Sequence, residues 1–229
     1  MGNILKILKL LSPYLSTFLL FIAFLLINGG VVVGDRSSHQ AVFHLAQLLH
    51  CSLFLLIFAF PLLVTPSKLV RFSQFLKSHA SLAFVLVTCF SYALQRFSVV
   101  HPYLLADNRH YAFYLHKNLL SRPLLRLVLL PAYLYSAWSL NDSLRRKSVL
   151  WRLVYLVSVS MVTVPAALLE LRYFAMPYLM FRLNVKAESK RQAFLELGYF
   201  LAVNFVTVAV FAMKTFYWAD VEGPQRIIW

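Results

Sequence analysis

Charged residues are scarce in this chain, and acidic residues are the scarcest. Asp, Glu, Lys and Arg make up 13% of the 229 residues, whereas hydrophobic residues make up 61%. Soluble domains carry about 25% charged and about 45–50% apolar residues, so the composition excludes an ordinary soluble protein. Eight acidic residues stand against 22 basic ones, giving a formal net charge of +14. Most charges lie near the ends of apolar runs, so membrane lipids account for the basic excess better than nucleic acid does.

Cysteine and glycine are also rare. The two cysteines, Cys51 and Cys89, fall within apolar runs, which favours small buried side chains over a disulfide or a metal site. Six glycines form no Gly-rich phosphate loop, and seven scattered histidines show no metal-ligand spacing. The sequence therefore predicts no metal site.

Long apolar runs are plentiful, and each is a candidate membrane span. Six stretches lack Asp, Glu, Lys and Arg: 10–34, 37–67, 78–95, 127–141, 153–169 and 197–213. A spanning helix needs about 20 mostly apolar residues, and the runs do not alternate as barrel strands do. The predicted fold is all-α, a polytopic helical membrane protein with about six transmembrane helices in a single domain, 1–229. We expect the first run to be a retained span rather than a cleaved signal peptide.

The basic residues orient these predicted spans. The N-terminus and the loops at 68–77 and 141–152 are rich in Lys and Arg, which predicts that they are cytosolic. The loops at 35–40, 100–122 and 170–191 then lie on the opposite side, and both termini are cytosolic. The loop at 170–191 weakens the argument, since it carries five basic residues. Its segment from Tyr173 to Leu183 is too short to span and is predicted to be re-entrant or interfacial.

Each of the three non-cytosolic loops pairs an acidic residue with a nearby arginine. The planar guanidinium of arginine can bind a phosphate through two hydrogen bonds. A carboxylate or histidine can take a proton from a hydroxyl. Tyrosine offers a ring face on which a sugar can stack and a hydroxyl with which it can form hydrogen bonds. The pairs could be local ion pairs and helix caps, but three together favour one site for a lipid-linked phosphosugar, because ionisable groups at membrane depth are costly. The candidate substrate-binding residues are Asp35, Arg36, His39, Asp107, Asn108, Arg109, His110, Tyr111, Glu170, Arg172 and Tyr173.

A second polar pattern lies in the second apolar run. Gln40, His44, Gln47 and His50 follow an approximate helical spacing. Such a stripe could line a cavity, but hydrogen bonding between helices is the favoured interpretation.

Several longer strings resemble one family, the dolichyl-phosphate-glucose-dependent α-1,2-glucosyltransferases of the endoplasmic reticulum. They are NGGVVVGDRSSHQ at 28–40, TPSK at 65–68, LLADNRHYAFY at 104–114, LVLLPAYLYSAWSLNDSL at 127–144, LLELRYFAMPYLMFRLNV at 168–185 and the ending PQRIIW. The resemblance implies transfer of the terminal glucose from dolichyl phosphate glucose to the diglucosylated dolichyl-diphosphate-linked oligosaccharide of N-glycan assembly. It further implies an endoplasmic reticulum membrane location with the polar loops in the lumen, and no cofactor beyond the lipid-linked donor.

The resemblance is to the C-terminal half of a longer, GT-C-type glycosyltransferase. The family's expected catalytic acid lies in an acidic luminal loop of the N-terminal half, and Asp35 is not its counterpart. We therefore assign no catalytic residue, and we expect no turnover by this chain alone. The alternative function is a non-catalytic membrane protein that binds or regulates other membrane proteins such as ion channels.

Overall fold

The computed structural model describes residues 2–34, 36–37 and 39–228, and most of these residues are helical. The chain divides into two compact units, residues 1–40 and residues 41–229. The predicted all-α class is confirmed: a single short hairpin is the regular β-structure of the described residues.

The first unit is one long helix followed by a turn. Helix α1 spans Gly2–Asn28. The side-chain amide of Asn28 donates to the carbonyl oxygens of Gly30 at 2.7 Å and Val32 at 2.9 Å. The guanidinium of Arg36 donates to the backbone and side-chain oxygens of Asn28. These bonds fold the chain back at the end of the helix.

The second unit is a bundle of apolar helices joined by short turns. Its α-helices are α2 (Ala46–Phe58), α3 (Phe60–Leu63), α4 (Pro66–Ser78), α5 (Ala80–Arg96), α6 (Pro102–Ala106), α7 (Tyr111–Leu115), α8 (Pro123–Val128), α9 (Leu130–Ser143), α10 (Val149–Thr163), α11 (Ala175–Asn184) and α12 (Lys190–Met213). A π-helical turn follows α7 at His116–Leu120, and a 3-10 turn at Leu171–Phe174 leads into α11. Strands β1 (Thr215–Phe216) and β2 (Gln225–Arg226) pair antiparallel.

Three stretches of helix are long and apolar enough to cross a membrane: Ile4–Asn28, Pro123–Ser143 and Lys190–Met213. Helices α4 and α5 together would make a fourth, but they meet at a bend of 99°. Helices α2 and α10 are apolar but shorter. Each of the six apolar runs in the sequence therefore contains a helix, while three or four of these helices reach spanning length.

The core of the second unit lies where α2, α9, α10 and α11 pack together. Phe174 and Phe181 are buried in it, and the ring of Phe174 lies 5.5 Å from that of Phe54. Buried aromatic rings of this size make extensive packing contacts. Short α11 is therefore fixed in the bundle by Phe181 and by Phe174, the residue before its first turn.

Two of the four residues of the predicted polar stripe, Gln47 and His50, lie on α2 and form hydrogen bonds with its neighbours, whereas Gln40 and His44 precede the helix. The amide of Gln47 donates to the carbonyl oxygen of Leu168 at 2.8 Å. The Nδ1 atom of His50 lies 2.9 Å from the hydroxyl of Tyr133 on α9. Both side chains are buried, so these bonds satisfy groups that would be costly to leave unpaired. The stripe thereby ties α2 to α9 and to the segment that follows α10.

One sequence expectation is wrong: residues 170–191 are not a single loop at one end of the bundle. Arg172 lines a cavity together with Asp107, whereas Lys186 lines a cavity together with Arg146. The ten-residue helix α11 joins these two places. Arg182, which looked like a loop residue, forms an ion pair with Glu196 of α12 at 2.6 Å. The segment thus runs from one end of the bundle to the other.

The expected position of the C-terminus is also corrected. The backbone N–H of Ile228 donates to the carbonyl oxygen of Arg109 at 2.7 Å. The indole N–H of Trp218 donates to the side-chain oxygen of Asn108 at 2.8 Å. A tail and a loop in direct contact cannot lie on opposite sides of a membrane. Because α11 adds one passage through the bundle, α12 ends at the same end as the 100–122 loop.

Candidate functional site

A cavity of about 320 Å³ lies at the end of the bundle where the 100–122 loop meets the segment after α10. Its polar lining residues include members of two of the three acid–arginine pairs. They are Tyr103, Asp107, His110, Glu170 and Arg172. We call this the polar cavity. The structure therefore brings together residues that are some 60 positions apart in the sequence.

Asp107 organises the loop on one side of the polar cavity. Its carboxylate accepts the backbone N–H of Arg109 at 2.9 Å, which is the turn that an aspartate forms two residues ahead of itself. The same carboxylate accepts Nε of Arg109 at 3.0 Å and Nη2 at 2.7 Å. The hydrogen bonds from Arg109 lower the pKa of Asp107. Asp107 is thus a stable anion and a weak base.

His110 follows the turn and faces Asp107 with one ring nitrogen. Its Nε2 lies 3.5 Å from a carboxylate oxygen of Asp107. Its Nδ1 is buried and has no hydrogen-bond partner among the described residues. If the carboxylate holds the proton at Nε2, then Nδ1 carries a lone pair that can accept a hydrogen bond. His110 thus lines the polar cavity beside Asp107 and carries one buried ring nitrogen without a partner in the described part of the chain.

Glu170 and Arg172 form the opposite wall. Nη2 of Arg172 donates to one oxygen of Glu170 at 3.1 Å. The Glu170 side chain is 13% exposed, whereas that of Arg172 is 70% exposed. Interaction with Glu170 raises the already high pKa of Arg172, so its charge is permanent. Arg172 gives one N–H to Glu170, whereas Arg109 gives two, from Nε and Nη2, to Asp107, so Arg172 retains more of its five N–H donors for a ligand.

The C-terminal tail closes over the loop of the polar cavity. The guanidinium of Arg109 lies 4.9 Å from the ring centre of Trp218, a cation–π contact. The side-chain oxygen of Asn108 accepts a hydrogen bond from the indole N–H of the same Trp218. Sequence reasoning did not place Trp218 or Ile228 at the site. The signal available was the ending PQRIIW, which was recognised only as part of the family resemblance.

Of the remaining predicted site residues, those in the second unit do not line the polar cavity. Tyr173 packs against the hydrophobic core, and Tyr111 begins α7 without lining the polar cavity. Arg36 and His39 belong to the first unit, where Arg36 bonds to Asn28 and the backbone N–H of His39 donates to Arg36. Asp35 lies outside the described residues. The substrate-binding role of all these residues stays a prediction.

The polar cavity shows none of the features of a metal centre. Across 2–34, 36–37 and 39–228, no group of three His, Cys, Asp or Glu side chains is arranged to hold a metal ion. The chemistry available at the site is charge and hydrogen bonding: one exposed guanidinium, two carboxylates and a histidine acceptor. This set suits an anionic, hydroxyl-rich ligand.

Helices of membrane-spanning length, together with a polar cavity lined by the 100–122 loop and the segment after α10, define a polytopic membrane protein with a polar site. The sequence profile of the DIE2/ALG10 family matches residues 1–183. The chain belongs to the DIE2/ALG10 family.

Curated relatives share a single name, Dol-P-Glc:Glc(2)Man(9)GlcNAc(2)-PP-Dol alpha-1,2-glucosyltransferase. The chain is 40% identical to one from Homo sapiens over 99% of its own length and 48% of the relative's. It is 40% identical to one from Drosophila melanogaster, over 99% of its own length and 50% of the relative's. It is 35% identical to one from Arabidopsis thaliana, over 98% of its own length and 46% of the relative's. The chain thus spans about half the length of the curated relatives it matches. No solved structure matches it.

Proposed function

We propose that this chain provides the lipid-linked-sugar site of an α-1,2-glucosyltransferase. The observation that carries the proposal is the polar cavity, where Asp107 and His110 meet Glu170 and Arg172 at the end of a membrane bundle. A lipid-linked phosphosugar presents a phosphate, sugar hydroxyls and an apolar tail at one place. The names of the relatives, which specify a Dol-P-Glc donor and a Glc(2)Man(9)GlcNAc(2)-PP-Dol acceptor, favour this function over a regulator of other membrane proteins.

The chemistry assigns different tasks to the residues of the cavity. In glucosyl transfer an acceptor hydroxyl gives its proton to a base and forms a bond to C1 of glucose, while the bond from C1 to the phosphate oxygen breaks and the lipid phosphate leaves with the electron pair. Arg172 is placed to bind that phosphate, because a guanidinium stabilises phosphate oxygens through charge-assisted hydrogen bonds. The carboxylate of Glu170 accepts hydrogen bonds from sugar hydroxyls, and His110 lines the cavity beside it. We do not assign Asp107 as the base, because Arg109 lowers its pKa.

The proposal includes a location. We place the chain in the endoplasmic reticulum membrane as a multi-pass protein, with the polar cavity facing the lumen and with no cofactor beyond the lipid-linked donor. The distribution of basic residues supports this orientation. Arg146, Lys147 and Lys186 gather at the end of the bundle away from the polar cavity, as the cytosolic ends of membrane proteins do.

The test is a chimera in which this chain replaces the matching half of the human relative, in cells that lack the relative. We expect the chimera to convert the diglucosylated lipid-linked oligosaccharide to the triglucosylated form. The change Arg172→Gln should lower that conversion by about 10- to 100-fold, since it removes a charge-assisted phosphate contact. The readout is chromatography of lipid-linked oligosaccharides, normalised to the amount of folded chimera.

The control is Arg122→Gln, which removes an exposed arginine from the 100–122 loop at a position that does not line the polar cavity. It should leave conversion within about twofold, as surface substitutions do. Equal losses from the two changes, or normal conversion by the Arg172→Gln chimera, would rule out the phosphate contact. A well-expressed chimera with no conversion would contradict the proposed activity.

A further inference from the structure

A second cavity, of about 330 Å³, lies at the other end of the bundle. It forms where α4, the turn after α9 and the turn between α11 and α12 converge. Its charged lining residues are Lys68, Arg71, Asp142, Arg145, Arg146, Lys147, Lys186 and Glu188. We call this the basic cavity. The 15-residue helix α10, about 22 Å long at 1.5 Å per residue, connects the end of the chain segment at this cavity to the segment that lines the polar cavity.

One part of the basic cavity has a structural role. The Lys68 side chain is 5% exposed, and its ammonium donates to the side-chain oxygens of Ser139, at 3.2 Å, and of Ser143. Asp142 accepts Nη2 of Arg71 at 2.9 Å and lies 3.6 Å from Arg145 and 3.9 Å from Lys68. A single carboxylate therefore serves three cations. These contacts fix the N-terminus of α4 against the C-terminus of α9.

The other part of the basic cavity holds cations that form no ion pair among the described residues. Arg146 and Lys186 have no carboxylate within 4.0 Å in the described part of the chain. Nε of Arg71 is buried and has no hydrogen-bond partner there either. Counting the lining residues gives six cations against two carboxylates. A concave surface with so uneven a charge attracts and concentrates anions.

The position of α4 indicates which anions can reach the cavity. Helix α4 is bent by 99° from α5, so it lies along the membrane surface when α5 crosses the membrane. Leu69 and Val70 are about half exposed on α4, while Lys68 and Arg71 of the same helix line the basic cavity. An amphipathic helix of this kind places its apolar side chains among lipid tails and its basic ones at the headgroups. Lipid phosphates are therefore within reach of the cavity.

We propose that the basic cavity is a binding site for a phosphate group, separate from the polar cavity, and that the headgroup of an anionic phospholipid occupies it. Guanidinium and ammonium groups from three segments surround the phosphate, as basic pockets between membrane helices surround lipid headgroups. The site does not depend on the proposed glucosyl transfer.

The test measures lipid binding by the 229-residue chain in detergent, using native mass spectrometry. Phosphatidate should form one saturable adduct, and phosphatidylcholine, whose headgroup is neutral overall, should not. The double change Arg146→Gln with Lys186→Gln should weaken phosphatidate binding by about tenfold or more, since it removes two charge-assisted contacts. Both residues lack ion pairs, so folding should be unaffected. Added pyrophosphate tests whether the phosphate group is enough for binding. If pyrophosphate displaces phosphatidate, the phosphate group alone suffices; if it does not, the lipid tail contributes to binding.

The matched control is Lys77→Gln with Lys190→Gln. It removes the same charge from α4 and from the start of α12, at residues outside the basic cavity. This variant should bind phosphatidate within about twofold of the unmodified chain, because dispersed surface charges are screened by salt. The proposal is overturned if phosphatidylcholine binds equally well, if the cavity variant binds normally, or if the control loses as much affinity.

Discussion

Arg109 and Arg172 carry the same guanidinium group in different surroundings. Arg109 donates two N–H groups to Asp107 and stacks on Trp218, so its guanidinium holds the loop and the tail together. Arg172 gives one N–H to Glu170 and is largely exposed on the wall of the polar cavity. We infer that Arg109 positions the loop, while Arg172 contacts substrate.

Lysine substitutions in the chimera separate these two tasks, because lysine keeps the charge but loses the planar fork. Arg172→Lys should lower glucosyl transfer by about 10-fold or more, while the amount of folded protein stays normal. Arg109→Lys should mainly reduce the amount of folded protein, since it breaks the bidentate pair with Asp107. Measuring both the transfer rate and the yield of folded protein distinguishes the loss of a substrate contact from the loss of a loop contact. A pure rate defect for Arg109→Lys would mean that this arginine also contacts substrate.

How far the sequence could predict the site depends on the range of the interactions. The turn at Asp107 was foreseeable, because the acid and the arginine are two residues apart and bond to each other. The meeting of Asp107 with Glu170 was expected from their placement on one side of the membrane, and the structure brings them to one cavity. Trp218 was not foreseeable, because no periodicity or spacing links a tail residue to Asn108.

Among the elements, α11 departs most from the sequence-based expectation. Its ten residues fall short of a membrane span, and Arg182 near its end resembled a loop charge. The pair with Glu196, 14 residues later on α12, neutralises that charge and makes the position suitable for a helix inside the bundle. Apolar runs and their lengths predict long helices well, but a short helix fixed by aromatic burial and one ion pair gives no such pattern.

The importance of the Arg182–Glu196 pair to α11 can be measured by thermal unfolding in detergent. Glu196→Gln leaves a largely buried guanidinium unpaired and should lower the free energy of unfolding by about 2 kcal/mol, less than for a fully buried pair because the Arg182 side chain is 32% exposed. The double variant Arg182→Leu with Glu196→Leu should recover part of that loss, since no charge then remains unpaired. If the single and double variants unfold at the same temperature as the unmodified chain, the pair does not hold α11 to α12.

At the scale of the whole molecule, the two ends of the bundle hold cavities of different chemical character, one polar and one basic. Residues 100–122, the segment before α11 and the C-terminal tail gather at the polar cavity. The turn after α9 and the turn between α11 and α12 gather at the basic cavity. The passage through α11 moves Arg182, Lys186, Lys190 and Arg191 away from the polar end. This removes the basic excess that complicated the sequence-based orientation, and it strengthens the positive-inside argument.

Glycosylation mapping in microsomes tests this arrangement. Residues 141–143 form the sequon Asn141-Asp142-Ser143; Asp142 lines the basic cavity, so Asn141 should stay unmodified. A sequon inserted beside Asp107 should be glycosylated. A sequon placed on a flexible extension after the last residue should be glycosylated as well, because Ile228 and Trp218 hold the tail against the loop of the polar cavity. The C-terminal result is decisive, since the sequence alone predicted a cytosolic end: an unmodified extension together with a glycosylated loop would place the tail and the loop on opposite sides of the membrane and refute the contact between them.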